Sequence, residues 1–338
     1  MIQLKLPLSL ANRLATHPTA LAWLKTKFGF GKRASSIEKY AYVLADYTQF
    51  CEENLIDYIR ATQDNILAYL EDLKGYSTKH TADAKPRRKL SNSTRRDHLS
   101  AIRLYYNFLV EKRIRDSFPI THDMYSPRNR YGNPRRGLIP VERKSVWIPN
   151  DEQWKVILDC LRGESLRNNL MIALTYECAL RKNEVCTLRV HDIIGDTITL
   201  PAERTKTNCE GKVKFSARTR KLLDLYLKTR PDVMGSSSEA LFLSESTQNR
   251  GQPISGSTWR KVVDRVAARA GLPRFTPHTL RHLSITHFAN QGWNDDAVAR
   301  FGRHRSQSSS GHYRHPSPQQ LIVKVAHVLT GIAASGKS

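Results

Sequence analysis

Acidic residues are scarce in this chain of 338 residues: 31 Asp and Glu stand against 54 Lys and Arg, which gives a formal net charge of +23. Such a cationic excess favours a polyanionic partner, because each phosphate neutralised by a Lys or Arg releases condensed counterions. Charge alone is also compatible with a basic protein of another kind, such as a ribosome-associated one. The composition therefore points first to nucleic acid.

Cysteine pairs and long apolar runs are also lacking. The five cysteines are scattered without a C-x-x-C pair, which predicts reduced thiols and a cytosolic compartment. The N-terminus has no signal-peptide pattern, and the apolar stretch 321–334 is too short to span a bilayer. Hydrophobic residues nevertheless make up 40% of the chain, enough to bury cores. We expect a folded, cytoplasmic, nucleoid-associated protein with no membrane partner.

Residues 34–125 carry apolar residues at helical spacing in three segments, which begin near Ser36, Thr62 and Ser93 or Thr94. A polar, basic stretch, residues 74–89, separates the second segment from the third and predicts a loop. We interpret residues 34–125 as a helical core DNA-binding domain and residues 1–33 as an N-terminal extension.

The third helix carries Arg95 and Arg96 in its predicted first turn, where the helix dipole favours negative charge. A solvated first turn accounts for this pattern. Alternatively, the two arginines and the backbone N–H groups bind a DNA phosphate.

Residues 126–149 combine prolines and glycines with a run of cations, so they predict a basic linker between two domains. Four of these cations are predicted DNA contacts: Arg128, Arg130, Arg135 and Arg136.

Residues 150–316 mix helical patterns with two short alternating stretches, 197–200 and 212–215, which predict a β-hairpin. The predicted fold class is α+β, mainly α with a small β-sheet. The helix predicted over 257–270 is basic and suited to a DNA groove through Arg260, Lys261 and Arg265. Residues 317–338 are predicted to form a C-terminal helix and tail.

The second half also carries the groups needed to cleave a phosphodiester without a metal ion. The transition state needs cations on its non-bridging oxygens, a nucleophile, and a donor for the leaving oxygen. The candidates, in chain order, are Arg181, Lys206, His278, Arg281, His304 and Tyr313.

A metal site is the rival interpretation of one helix. His278 and His282 have the i, i+4 spacing of zinc ligands. A metallohydrolase motif would carry Glu at the second position, where this chain has Thr279, and no carboxylate cluster is nearby. We therefore predict no metal and no cofactor.

Taken together, these motifs resemble the tyrosine recombinase (phage integrase) family. The segment A-L-R-K-N-E is similar to the family's G-L-R-x-x-E, and H-T-L-R-H matches H-x-L-R-H. The interval from His304 to Tyr313 equals that between the family's G-H motif and its nucleophile. The chain departs from the pattern at Ala179, which stands in place of glycine, and at Arg303, which separates Gly302 from His304.

The resemblance implies a role for each candidate residue. Arg181 and Arg281 would clamp the scissile phosphate, and His304 would hydrogen-bond it. Lys206, or Lys212 if the hairpin is shorter, would protonate the leaving 5′-oxygen. His278 would accept or relay the proton of Tyr313, which would form a 3′-phosphotyrosine bond. Glu184 and His282 would orient these groups.

The resemblance further implies a C-shaped clamp on double-stranded DNA, with four copies joining two DNA sites and exchanging their C-terminal helices. We expect a site-specific recombinase or integrase from a phage, transposon, plasmid or chromosomal system. The alternatives are a type IB topoisomerase-like enzyme, which shares the chemistry, and a DNA-binding protein without catalysis.

Overall fold

A computed structural model describes residues 6–75, 89–120, 139, 146–205, 210–230 and 238–303. The chain divides into two compact units, Met1–Arg143 and Lys144–Ser338. The division falls within the predicted linker, 126–149, most of which lies outside the described residues. The domain limits given above therefore stay predictions.

The first unit is helical throughout its described part, with α1 (Leu8–Leu14), α2 (Pro18–Gly29), α3 (Ala34–Glu53), α4 (Gln63–Asp72) and α5 (Asn92–Glu111). The three helices predicted after residue 33 are present. Thr62 caps α4 as expected, through a reciprocal capping box with Asn65. The cap of α5, however, is Ser91, and α3 begins two residues before Ser36.

Helices α1 and α2 lie in the segment for which the sequence predicted no helix. Leu14, Trp23 and Leu24 are fully buried and belong to the same core as α3–α5. The two helices are short, so their apolar spacing is a weak signal. Packing on α3 and α5 supplies the stability that so short a helix lacks by itself.

The second unit joins helices to a small sheet. Its helices are α6 (Asp151–Cys160), α7 (Leu166–Glu177), α8 (Lys182–Cys186), α9 (Ala217–Thr229), α10 (Gly256–Arg269), α11 (Pro277–Asn290) and α12 (Asp295–Phe301). The strands β1 (Ile193–Ile194), β2 (Thr197–Leu200) and β3 (Gly211–Lys214) form one antiparallel sheet in that order. The predicted fold class, mainly α with a small β-sheet, is confirmed.

The strand register sets the length of the β-hairpin. Ile198 lies opposite Val213 and both are buried, whereas Leu200 pairs with Gly211 at the end of the ladder. Strand β3 therefore begins one residue earlier than predicted, and residues 201–210 connect the strands. The sequence did not predict β1, which is only two residues long.

Helix α7 is the central element of the second unit, since it packs against both α9 and α11. The surrounding core contains Phe242, Trp259 and Phe275, all fully buried. This packing brings the end of α7 beside the middle of α11, and the candidate active site lies there.

The described cysteines form no disulfide. Burial raises the pKa of Cys51, Cys178 and Cys186 to about 12, so these thiols are poor nucleophiles at neutral pH. No helix in the described ranges has the length and apolar character needed to cross a membrane.

Candidate active site

The site is built on the C-terminal end of α7. Ala179, fully buried, has φ of +45°, in the left-handed region. The N–H of Leu180 donates to the carbonyl of Thr175 (3.2 Å), which closes the helix in the manner of a Schellman motif. Glycine is the usual residue at such a position because it has no Cβ. The position at which the chain departs from G-L-R-x-x-E is thus one where the backbone favours glycine.

Arg181 and Glu184 form a pair at the start of α8. One Arg181 guanidinium nitrogen donates to Glu184 Oε1 (2.7 Å), and the Arg181 backbone N–H donates to Oε2 (2.9 Å). The Glu184 side chain is only 2% exposed, whereas that of Arg181 is 20% exposed. The carboxylate of Glu184 therefore holds both the guanidinium and the backbone of Arg181, while part of the Arg181 side chain stays accessible.

Arg281 reaches the same place from α11. Its guanidinium donates to the carbonyl oxygens of Ala179 and Gly302, and the residue is 3% exposed. Arg181 also donates to the Gly302 carbonyl (3.3 Å) and to that of Arg303 (2.7 Å). The two predicted clamp arginines thus converge on one acceptor atom, the carbonyl oxygen of Gly302.

Arg303 adds a third guanidinium to the cluster. It lies just after α12 with φ of +50°, and its side chain is 5% exposed. It donates to Glu184 Oε2 (2.9 Å) and to the carbonyl of Ala179 (2.6 Å). In the sequence, Arg303 is only an extra residue before His304. Its partners Ala179 and Glu184 lie more than a hundred positions earlier, so no local pattern indicates that Arg303 belongs to the site.

Positive charge prevails among the described residues of this cluster, in which Arg181 and Arg303 pair with the carboxylate of Glu184 and Arg281 adds a third guanidinium. Burial by itself would raise the pKa of Glu184, but the charge of Arg303 and the hydrogen bonds from Arg181 outweigh it and hold that pKa below its usual range. Burial lowers the pKa of Arg303, yet a guanidinium stays protonated at neutral pH. The cluster is therefore suited to an anion.

His278 and His282 lie one turn apart on α11, and their Nε2 atoms are 2.8 Å apart with the rings edge to face. One of these nitrogens must donate and the other accept, so at least one ring is neutral while the bond exists. Thr276 caps the helix through Thr279, and His278, which is exposed, lies in the first turn. The expectation that His282 orients His278 fits this contact and stays a prediction.

Three of the predicted site residues, Lys206, His304 and Tyr313, lie outside the described residues. Lys206 belongs in sequence to the connection 201–210 between β2 and β3. Its alternative, Lys212, is an exposed residue of β3 whose Nζ lies 4.0 Å from Glu210 Oε1.

The arginines predicted to contact DNA in the first unit differ in placement. Arg95 is buried and donates to the carbonyl of Leu70 (3.1 Å) and to Asn92 Oδ1 (3.2 Å). Because Ser91 caps the helix, Arg95 also lies beyond its first three N–H groups. These contacts argue against a phosphate contact by Arg95, whereas Arg96 is exposed. The linker arginines Arg128, Arg130, Arg135 and Arg136 lie outside the described residues.

Some of the basic residues of helix α10 form ion pairs with acidic residues of the same unit. Arg265 binds the Glu164 carboxylate through two nitrogens (3.0 and 2.7 Å), and the Glu164 side chain is 2% exposed. Arg260 pairs with Asp264 at the surface (2.6 Å), and Lys261 is exposed. Arg260 and Lys261 are therefore better placed for a DNA contact than Arg265.

The chain matches one family model, several relatives and several solved structures. The model of the Phage integrase family matches residues 150–320, just over half of the chain. The tyrosine recombinase XerC of Staphylococcus haemolyticus is 25% identical over 312 residues, which are 90% of this chain and 93% of that protein. XerC of Corynebacterium glutamicum is 31% identical over 159 residues, 47% of this chain and 50% of the other.

Solved structures share the fold. The XerH site-specific recombinase bound to a palindromic difH substrate, in a post-cleavage complex, aligns with a TM-score of 0.67 at 18% identity, covering 94% of this chain and 87% of that one. A lambda integrase dimer (residues 75–356) bound to a COC′ core site aligns with a TM-score of 0.64 at 15% identity, covering 89% and 96%.

The arginine cluster, the mixed fold and the family match together define the class: an enzyme that cleaves and rejoins DNA strands at specific sites. The chain belongs to the phage integrase family of tyrosine recombinases.

Proposed function

We propose that this recombinase cleaves DNA through a covalent 3′-phosphotyrosine bond to Tyr313. The observation that carries the proposal is the convergence of Arg181 and Arg281 on the Gly302 carbonyl oxygen. Two planar guanidinium groups that can share one acceptor are close enough to bind two oxygens of one phosphate. Preorganised cations of this kind stabilise charge that develops in the transition state.

The proposed reaction is a pair of transesterifications. The phenolic oxygen of Tyr313 attacks phosphorus, the bond from phosphorus to the 5′-oxygen breaks, and a phosphotyrosine bond forms. His278 takes the phenolic proton, and Lys206 supplies a proton to the leaving 5′-oxygen, with Lys212 as the alternative donor. A 5′-hydroxyl of a second strand then attacks the phosphotyrosine, which releases Tyr313 and joins the strands.

His304 would hydrogen-bond the same phosphate, and Glu184 and His282 would hold Arg181 and His278 in place. One phosphodiester is exchanged for another, so the bond energy is kept in the covalent intermediate. Neither ATP nor a metal ion is needed for this sequence of steps.

We further propose that four copies act on two DNA sites and exchange the C-terminal helix, residues 317–338, between neighbours. The apolar residues Leu321, Val325 and Leu329 recur on one face of that predicted helix, which suits packing on another copy. The enzyme would act on nucleoid DNA in the cytoplasm, as the recombinase of a mobile element or of a chromosomal system. Arg96, Arg260 and Lys261 are the described cations that we propose contact DNA.

Trapping the covalent intermediate tests the nucleophile. A nicked suicide substrate loses the short strand that would otherwise reverse cleavage, so a denaturant-resistant protein–DNA band should accumulate and map to the peptide that contains Tyr313. Tyr313→Phe should bind the same DNA with unchanged affinity and form no such band. Tyr125→Phe, at the tyrosine that immediately precedes the predicted linker, serves as the control. A covalent band of normal intensity from Tyr313→Phe would sink the assignment.

A further inference from the structure

Arg303 is a buried cation of the candidate site and has no role in the proposed chemistry. It is buried just after α12, immediately before His304 in the chain. A buried guanidinium is costly unless its charge and its N–H groups are matched. At least four acceptors, the carbonyls of Cys178, Ala179 and Phe301 and the carboxylate of Glu184, receive its hydrogen bonds.

Two of these acceptors are shared with the proposed clamp. Glu184 binds Arg181 through Oε1 (2.7 Å) and Arg303 through Oε2 (2.9 Å). The Ala179 carbonyl accepts from both Arg281 and Arg303. Through Glu184 and Ala179, Arg303 is therefore linked by one intervening group to each of the two clamp arginines.

The aliphatic part of Arg303 contacts a third element, the β2–β3 hairpin. A Cβ placed on Gly211 would lie 2.8 Å from Arg303 Cδ, closer than such atoms approach in proteins. Gly211 is the first residue of β3 and directly follows the connection 201–210, to which Lys206 belongs in sequence. The Arg303 side chain cannot easily yield, because its guanidinium is fixed and buried. Glycine at 211 thus allows the hairpin to lie against Arg303.

We infer that Arg303 is a positioning residue of the recombination reaction. It ties the Ala179 turn, Glu184 and the start of β3 together, so that Arg181 and Arg281 are set relative to one phosphate. This inference rests on the proposed function. Its basis is the planar fork of the guanidinium, which spans acceptors on separate elements, whereas the point charge of a lysine would satisfy Glu184 alone.

Arg303→Lys is the central test, because it keeps the positive charge opposite Glu184 and so should preserve folding. We expect its melting temperature and DNA affinity to stay close to those of the wild type. Its single-turnover rate of covalent adduct formation should fall by about tenfold or more, since small misplacements of reacting groups are that costly. Arg300→Lys is the matched control, as Arg300 lies three residues earlier in the last turn of α12, exposed and paired with Asp296. Its rate should not change.

Gly211→Ala supplies a second, independent measurement. The added methyl group should displace Arg303 and slow cleavage in the wild-type protein. In an Arg303→Ala background the obstructing side chain is gone, so Gly211→Ala should cause little further loss. Rate losses that simply multiply in the double variant would contradict the contact between Arg303 and the hairpin. Should Arg303→Ala fail to fold, Arg303→Lys still decides the inference.

The outcomes separate the inference from the proposed function. A wild-type protein that forms no covalent band would defeat the proposed function itself. If the wild type cleaves and Arg303→Lys cleaves at the same rate, the function stands and the positioning role is wrong. A loss of rate in Arg303→Lys that merely parallels a loss of DNA affinity or of folding would also overturn that role.

Discussion

At the residue scale, the position of Ala179 shows how backbone geometry constrains the site. The family motif that the chain resembles has glycine there, and the structure shows a left-handed conformation with φ of +45°. A residue with a Cβ costs about 1–2 kcal/mol in that conformation. The carbonyl oxygen of this same residue, Ala179, accepts hydrogen bonds from Arg281 and Arg303.

Ala179→Gly should nevertheless change stability little. Relief of the conformational cost is offset by the greater backbone entropy of glycine when unfolded, about 0.5–1 kcal/mol, and by loss of one buried methyl group, about 0.8 kcal/mol. The expected change in the free energy of unfolding is thus below about 1 kcal/mol. Ala179→Val should destabilise by roughly 2 kcal/mol or more, because a branched residue fits neither the backbone nor the packed surroundings.

Urea unfolding of the three proteins measures both effects, and adduct formation reports on the site. A Val variant as stable as the wild type would show that the conformation at residue 179 is not the constraint described here. A Gly variant destabilised by several kcal/mol would show that relief of the left-handed conformation does not offset the entropy of glycine and the lost methyl group.

At the scale of elements, α10 is fastened to the start of α7 by buried charge. Glu164, one residue before the cap of α7, receives hydrogen bonds from Arg265 and Arg269 of α10 and from Asn168 of α7. Although burial raises the pKa of Glu164, the hydrogen bonds from Arg265 and Asn168 outweigh it, and the net pKa lies below the usual range. These hydrogen bonds to Glu164 therefore hold α10, the helix that we propose contacts DNA, against the start of α7.

Glu164→Gln should lower the free energy of unfolding by about 1–3 kcal/mol, since it removes charge-assisted hydrogen bonds from a buried acceptor. Asp264→Asn is the control on the same helix, because the Arg260–Asp264 pair is about half exposed and such pairs contribute about 0–1 kcal/mol. Thermal and urea unfolding compare the two variants. Equal, small effects would mean that Glu164 does not fasten α10.

At the scale of the whole molecule, stability should decline in two stages as the pH falls. Burial lowers the pKa of His98 in the first unit and of His287 in the second below the usual 6.5. The unfolded chain then binds protons more readily than the folded one, so stability should fall from about pH 6.5 downward. The pKa values of Glu164 and Glu184 are also depressed, and the stability they contribute is present above about pH 4.5 and lost below it as each becomes protonated.

Melting temperatures recorded from about pH 8 down to about pH 2 check this course, because the second stage lies below about pH 4.5. The double variant His98→Gln/His287→Gln should lose less stability than the wild type between pH 6.5 and pH 5. The loss of stability below about pH 4.5, which comes from Glu164 and Glu184, should remain. His191→Gln, an exposed histidine, should alter neither stage. A wild-type melting temperature that is constant from pH 7 to pH 5 would refute the first stage.

Local sequence patterns determined a large part of this protein. The capping residue Thr62 starts α4 as predicted, because a cap depends on a side chain and a backbone only three residues apart. Helical spacing and strand alternation predicted the mixed fold class for the same reason. The motifs around Arg181, Arg281 and Tyr313 led to the right family, since the order and spacing of chemical groups are written in the chain.

Tertiary structure decided which charged side chains are buried in contacts within the protein and which are exposed and can bind DNA. Arg95 and Arg96 are neighbours in sequence, yet the first is buried against Leu70 and the second is exposed. Arg303 meets Glu184 across 119 positions of the chain. The partner of a charged side chain depends on which distant elements pack beside it, and no local pattern contains that information.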